Sequence, residues 1–166
     1  MNRLILIVLL ACPALPASAA GAGGMFRQGQ THFMLEAGSG TAFNSSYTIL
    51  GAGVTHYVAD GLGVGLSYES WSGGGPGITK ISPSVQYVFA QASAAQPFIG
   101  GFYRHATIAG LPSINSLGVR AGAYIAAGSN SAIGLALVYE SYQDCQATVY
   151  SACNESYPEV SFTFGF

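Results

Sequence analysis

The last seven residues, Val160, Ser161, Phe162, Thr163, Phe164, Gly165 and Phe166, alternate large apolar side chains with small or polar ones. Alternation with a period of two is the pattern of a strand whose faces meet different media. An aromatic strand of this kind is hazardous as a free edge, because its unpaired N–H and C=O groups template pairing with other chains. A barrel has no edge. The run therefore points to a sheet that curls round to meet its own beginning.

Charge scarcity narrows the choice further. Only 7% of the 166 residues are charged and 50% are hydrophobic, whereas about a quarter of a soluble domain is charged. Beyond the first twenty residues, no stretch supplies the roughly 18 consecutive apolar residues of a membrane helix. A membrane-spanning chain without such helices must be a closed barrel, since hydrocarbon satisfies no backbone donor or acceptor. A net charge of −2 with five basic residues argues against nucleic acid, whose binding requires clustered Lys and Arg.

The N-terminus has the layout of an export signal: Asn2 and Arg3, an apolar run from Leu4 to Ala11, Pro13 and Pro16, then Ala17-Ser18-Ala19. Cleavage is expected after Ala19, with Ala20 the neighbouring choice. Leu9-Leu10-Ala11-Cys12 is a competing lipid-attachment signal, but the apolar core ahead of Cys12 is short and a good small-residue site follows. The expected organisation is a signal peptide at 1–19, a short N-terminal periplasmic segment at 20–29 and a barrel over 30–166. Loss of Cys12 leaves Cys145 and Cys153, and an exported chain favours a disulfide between them. A metal site is the weaker alternative, because that segment holds no His or further Cys to complete a tetrahedral set.

Apolar alternation recurs in blocks of about ten residues, as barrel strands require. It predicts strands at Gln30 to Gly38, Tyr47 to Ala59, Leu62 to Trp71, Thr79 to Phe89, Gln96 to His105, Ser116 to Ala126, Ser131 to Tyr142 and Tyr157 to Phe166. The fold class is all-β, an eight-stranded antiparallel transmembrane β-barrel with up-and-down order. Connections after the second, fourth and sixth strands (Asp60-Gly61, Ala90 to Ala95, Ala127 to Asn130) are short. Those after the odd strands (Ser39 to Ser46, Ser72 to Ile78, Ala106 to Asn115, Gln143 to Ser156) are generally longer. Short periplasmic turns opposite longer external loops would place both termini in the periplasm.

The terminal strand, with Phe166 last and Phe164, Phe162 and Val160 at every second place before it, resembles that of the small bacterial outer-membrane β-barrels of the OmpA and OmpX kind. The resemblance covers nearly the whole mature chain and rests on architecture and that strand. It implies a cell outer-membrane location and a monomeric barrel in outer-membrane lipid. It also implies passage through periplasmic chaperones and reading of the terminal strand by the barrel-assembly machinery.

A charge on a lipid face costs up to several kcal/mol near the midplane, so a barrel hides charges in its lumen or loops. The alternation turns Leu62, Val64, Leu66 and Tyr68 outward, with Ile133, Leu135, Leu137 and Tyr139 doing the same. Glu36, Glu69, Lys80, Arg104, Arg120, Glu140 and Glu159 then all point inward, from the outer halves of seven strands. The expectation is one salt-bridged layer that plugs the lumen, since buried charge is tolerable only when paired. Below it, small inward residues such as Gly63, Gly65, Gly122 and Gly134 leave room that Met34, Tyr57 and Tyr124 fill. Pro83 interrupts the fourth strand's hydrogen-bond ladder.

Three functions are compatible with this chain. One is a structural or surface-interaction barrel acting through its loops. A second is an outer-membrane lipid-modifying enzyme similar to lipid A deacylases, whose candidate residues are His105, Thr107 or Ser113, and Glu140; no recognisable spacing unites them. The third is a narrow channel or small-ligand carrier using the surplus inward carboxylate. Eight-stranded interiors are just wide enough to be packed, which disfavours an open pore. Trp71, Tyr47, Tyr68, Tyr139 and Tyr142 read as an aromatic girdle at the external strand ends. No metal or nucleotide motif occurs, so no cofactor is expected; the Gly-rich Ser72 to Gly77 lacks the Lys of a phosphate loop.

Overall fold

The computed structural model describes residues 24–89, 95–143, 145 and 153–166. The predicted signal peptide, the Cys12 signal and most of the Ala90 to Ala95 turn lie outside the described residues. Eight strands follow one another: β1 (Thr31–Ala42), β2 (Ser45–Ala59), β3 (Leu62–Gly73), β4 (Ile78–Val88), β5 (Ala95–Ile108), β6 (Ile114–Ala126), β7 (Ser131–Tyr142) and β8 (Asn154–Gly165). Each pairs antiparallel with its neighbours, and β8 returns to β1 to close the barrel. No α-helix occurs among the described residues.

The predicted strands are all present, but most run further toward the end that carries the β1–β2, β3–β4, β5–β6 and β7–β8 connections, hereafter the loop end. The expected Ser39 to Ser46 loop is instead paired strand up to Ala42–Ser45, closed by a turn at Phe43 and Asn44 with φ of 50° and 55°. Two consecutive positive φ values are the type I′ geometry, whose twist suits a two-residue hairpin. Asn accepts that conformation readily and Phe does not, so the usual Asn-Gly signal is missing. Ser and Thr beyond the apolar band make this stretch resemble a loop in composition while it remains a strand in pairing.

Side chains alternate through the wall as the period of two demands. Val64, Leu66 and Tyr68 of β3 are exposed, and so are Leu135, Leu137 and Tyr139 of β7, with Leu137 71% exposed. Exposed leucine along consecutive outward positions is ordinary against hydrocarbon and anomalous against water. The opposite residues of the same strands face a packed interior. Phe98, Phe102 and Arg104 of β5 all point inward, each buried. Around Pro83 the β4–β5 ladder skips from Ile81–His105 to Ser84–Phe102, which accommodates the residue that has no N–H to give.

Large and small side chains interlock inside. A Cβ on Gly134 would lie 2.8 Å from the Tyr124 ring, and one on Gly118 would lie 2.1 Å from the Phe102 ring. At the end bearing Thr31 and Phe166, hereafter the terminus end, Met25, Phe26, Tyr57, Val88, Phe98, Tyr124, Ala132 and Ala136 form one buried cluster. Phe26 belongs to no strand. It enters the barrel mouth from the short segment ahead of β1 and is fully buried there.

Seven seams pair along nearly the whole of their strands, the skip at Pro83 and a shift near Tyr57 aside, and one pairs over only part of its length. β1 pairs with β2 from Thr31–His56 to Ala42–Ser45, but with β8 only from His32–Gly165 to Glu36–Ser161. Thr31 and Phe166 add one further reciprocal hydrogen-bonded step.

Candidate functional site

The inner face of the loop-end half is built around Arg104 on β5. Its Nη2 donates to Glu69 Oε1 on β3 at 2.7 Å, and its Nη1 donates to Glu140 Oε2 on β7 at 2.7 Å. Nη1 also donates to the Tyr157 hydroxyl on β8 (2.8 Å), and Nε donates to Ser82 Oγ on β4 (3.0 Å). The carboxylates are held in turn. Glu140 accepts from Tyr157 at 2.9 Å and from the Ser116 hydroxyl, while Glu69 Oε2 accepts from Trp71 Nε1 at 3.1 Å. One guanidinium thus ties its own strand to four others, through side chains that a period-two register sends inward. Glu140 has no exposed surface. Its burial is tolerable because the charge is paired and most of its lone pairs are occupied.

A second pair sits deeper. Arg120 Nη1 on β6 meets Glu159 Oε1 on β8 at 3.3 Å. Arg104 faces Ser116 across the β5–β6 ladder, whereas Arg120 faces Gly100, four residues along the strand toward the terminus end. The single layer expected from the sequence is therefore two clusters. Lys80 and Glu36 join neither by an ion pair. Lys80 Nζ lies 3.9 Å above the Trp71 ring, a cation over an aromatic face. Glu36 points inward beside Gly51, whose added Cβ would lie 2.9 Å from its Oε2.

Below the charges, polar contacts give way to rings. Gln86 donates to the Tyr57 hydroxyl (2.8 Å) and accepts from the Tyr124 hydroxyl (3.3 Å). Phe26 then packs on Tyr57, Tyr124 and His32, with ring centroids 5.6, 5.1 and 5.2 Å away. Backbone bonds fix this segment. Gly61 N donates to the Phe26 carbonyl at 2.7 Å, Gly29 N to Tyr57 O at 2.8 Å, and His32 Nε2 to Met25 O at 2.6 Å.

Several sequence expectations change in this light. Tyr47, Trp71 and Tyr142 are not girdle residues: Tyr47 is buried with its hydroxyl donating to Pro76 O (3.0 Å), and Tyr142 shares the inward parity of Glu140. Their places at the mouth follow from register, because Tyr47 lies an even number of residues from inward Tyr57, Trp71 from Glu69 and Tyr142 from Glu140. Tyr68 and Tyr139 do face outward. His105 also faces outward, bonded through Nδ1 to Asn115 Oδ1 at 2.7 Å, while Glu140 is inside; Thr107 and Ser113 are exposed. The wall thus separates the members of that candidate catalytic set. Cys145 and Cys153 form a disulfide with Cα atoms 5.6 Å apart. Val160, Phe162, Phe164 and Phe166 all lie on the outward face. The roles of Tyr157, Ser82 and Ser116 were recoverable from inward parity alone, but Phe26 carries no periodic signal.

No protein family and no curated protein matches the chain. Solved structures do. The N-terminal β-barrel domain of Pseudomonas aeruginosa OprF is similar over 84% of this chain and 98% of that one, with a TM-score of 0.66 and 13% identity. Neisserial surface protein A (NspA) is similar over 82% of this chain and 94% of that one, with a TM-score of 0.55 and 16% identity. The fold is that of the small outer-membrane barrels. At these identities the likeness is one of architecture, and function has to be argued from the side chains.

Proposed function

We propose that this protein is an integral outer-membrane barrel with a structural or surface-interaction role, its loop end outside the cell and its termini in the periplasm. The observation that carries the reading is an interior blocked from both ends, by the Arg104 cluster at one and by Phe26 at the other. An axial channel needs a continuous wet path, and two successive obstructions of opposite chemistry oppose one. The outward belt of Leu, Val, Ile and Phe supports residence in lipid, and the strands that run on past that belt at the loop end, with the long connection between Tyr142 and Asn154 there, support the orientation. The outward row of Val160, Phe162, Phe164 and Phe166 supports a terminal strand that the assembly machinery reads on its apolar side.

Planar-bilayer recording tests the seal. The parent protein is expected to give no steady current, and the double variant Phe26→Ala/Arg104→Ala to give discrete openings. Steady conductance from the parent would refute the reading. A Ser113→Cys variant should react with an impermeant maleimide on intact cells, and labelling only after lysis would reverse the orientation.

A further inference from the structure

We propose that the open half of the β1–β8 seam is a lateral portal, through which the cationic head group of a bilayer amphiphile reaches the carboxylate-rich side of the interior. The proposal rests on the reading of the barrel as membrane-embedded.

The seam is open by sequence as well as by shape. Thr31 and Phe166 donate to each other's carbonyls, at 3.4 and 2.9 Å, so they form a hydrogen-bonded pair of the β1–β8 ladder. Such pairs recur at every second residue, so the even-numbered residues of β8 direct their backbone nitrogens at β1. Gly165 N, an odd-numbered donor, accordingly bonds Asn130 O on the β7 side (2.8 Å). Extending the register from Glu36–Ser161 would set Pro158 opposite Ser39. The next hydrogen-bonded pair would be Ala37 with Val160, which is already unpaired, and Pro158, with no N–H, leaves the pair after it short of one of its two bonds, which disfavours closing the seam.

Behind the break lies a cavity of 270 Å³ whose lining includes Glu36, Glu69, Glu155 and Glu159, with Arg104 and Trp71. Gly38 on β1 leaves the entrance clear, since a Cβ there would touch nothing within 4 Å. At a share of about 30 Å³ per water, the volume suits a head group of roughly ten heavy atoms and not a whole lipid. The tail would remain on the outer face, along exposed Leu35 and Val160. The opening is also at the right height. Outward residues change from Leu35 to Ser39 on β1 and from Val160 to Ser156 on β8, so it sits where the apolar belt ends and head groups begin.

Charge selects the occupant. Arg104 neutralises part of Glu69 and Glu140, and Arg120 pairs with Glu159. Glu36 makes no ion pair or hydrogen bond among the described residues, and Glu155 accepts only from the Tyr142 hydroxyl. Four carboxylates against the single Arg104 cation leave the lining with surplus negative charge, which an alkylammonium complements and an alkyl sulfate does not. No group of three or more His, Cys, Asp or Glu among the described residues is arranged to hold a metal ion, so an organic cation fits better than a metal.

Trp71 is the only tryptophan in the chain and lines the cavity, so its emission reports occupancy. The folded protein in nanodiscs of neutral lipid is titrated with dodecyltrimethylammonium, dodecyl sulfate and tetramethylammonium. A saturable emission change is expected with the first alone. Glu36→Gln should weaken it at least tenfold. Joining Ser39→Cys to Pro158→Cys with a short bis-maleimide should abolish it, while a variant that keeps faster migration on unheated gels is still a folded barrel. Equal response to the sulfate, or no effect of Glu36→Gln, would overturn the proposal. Equal affinity for tetramethylammonium would overturn the lateral route in favour of a soluble-cation site. A dimer that crosslinks through Ser39→Cys would overturn it in favour of a partner strand in the gap. Failure of the parent to insert into lipid at all would instead refute the membrane reading beneath it.

Discussion

The two ends of the interior close the same wall by opposite means. At the loop end a guanidinium is fixed by carboxylates from β3 and β7, with hydroxyls from β4 and β8 completing its partners. At the terminus end Phe26 is fixed by three rings and by backbone bonds of its own segment. Directional pairs specify geometry and penalise the loss of any one member. Ring packing is non-directional, and its penalty scales with the volume removed.

The comparison is broken most severely by removing one partner of the charged cluster. Arg104→Met leaves Glu69 and Glu140 buried without their cation, and about 3–5 kcal/mol of stability should be lost. Urea unfolding in vesicles, followed by gel mobility, measures it. The triple variant Arg104→Met/Glu69→Leu/Glu140→Leu should recover most of that loss, because apolar replacement of a whole buried set is often neutral. Failure to recover would mean that the cluster positions the strands and does not merely fill the lumen. At the other end, Phe26→Ala should cost about 3 kcal/mol in the same assay, and Phe26→Leu less than half of that, as graded volume loss requires. Equal costs would show that the ring geometry, not its bulk, holds the mouth.

A smaller effect sharpens the link between packing and charge. Gly118→Ala drives a methyl into the Phe102 ring, over which Arg104 lies at 4.6 Å. About 2 kcal/mol of overpacking should follow, and the effect should shrink when Phe102→Leu is added. The smallest change is Tyr157→Phe, which removes one hydroxyl shared by Arg104 and Glu140 and should cost about 1.5 kcal/mol.

Strand number, order and facing were legible because a period of two against lipid leaves little freedom: Leu62 to Glu69 and Ile133 to Glu140 each specify both faces. The inward charges were legible for the same reason, since a charge has nowhere else to go. Their grouping was not. Whether Arg104 pairs with Glu69 or Lys80 with Glu140 depends on tilt and stagger around the barrel, which no single strand encodes. Strand ends toward the loops are not legible, because the Ser- and Thr-rich composition of Ser39 to Ser46 reflects height above the apolar belt, not absence of pairing. Phe26 was invisible because a side chain that plugs a mouth needs no periodicity. The unfinished seam leaves one local trace, Pro158, whose meaning depends on knowing which neighbour its nitrogen faces.

Phe26 touches rings borne by β1, β2 and β6, contributed from distant parts of the chain. Those rings converge on a single benzyl group only at one circumference, because barrel diameter grows with strand number. A closure that omitted a strand, or slipped by two residues, would spread or crowd them. The tucked segment thus acts as a gauge of correct closure, rewarding the eight-membered ring over its miscounted competitors.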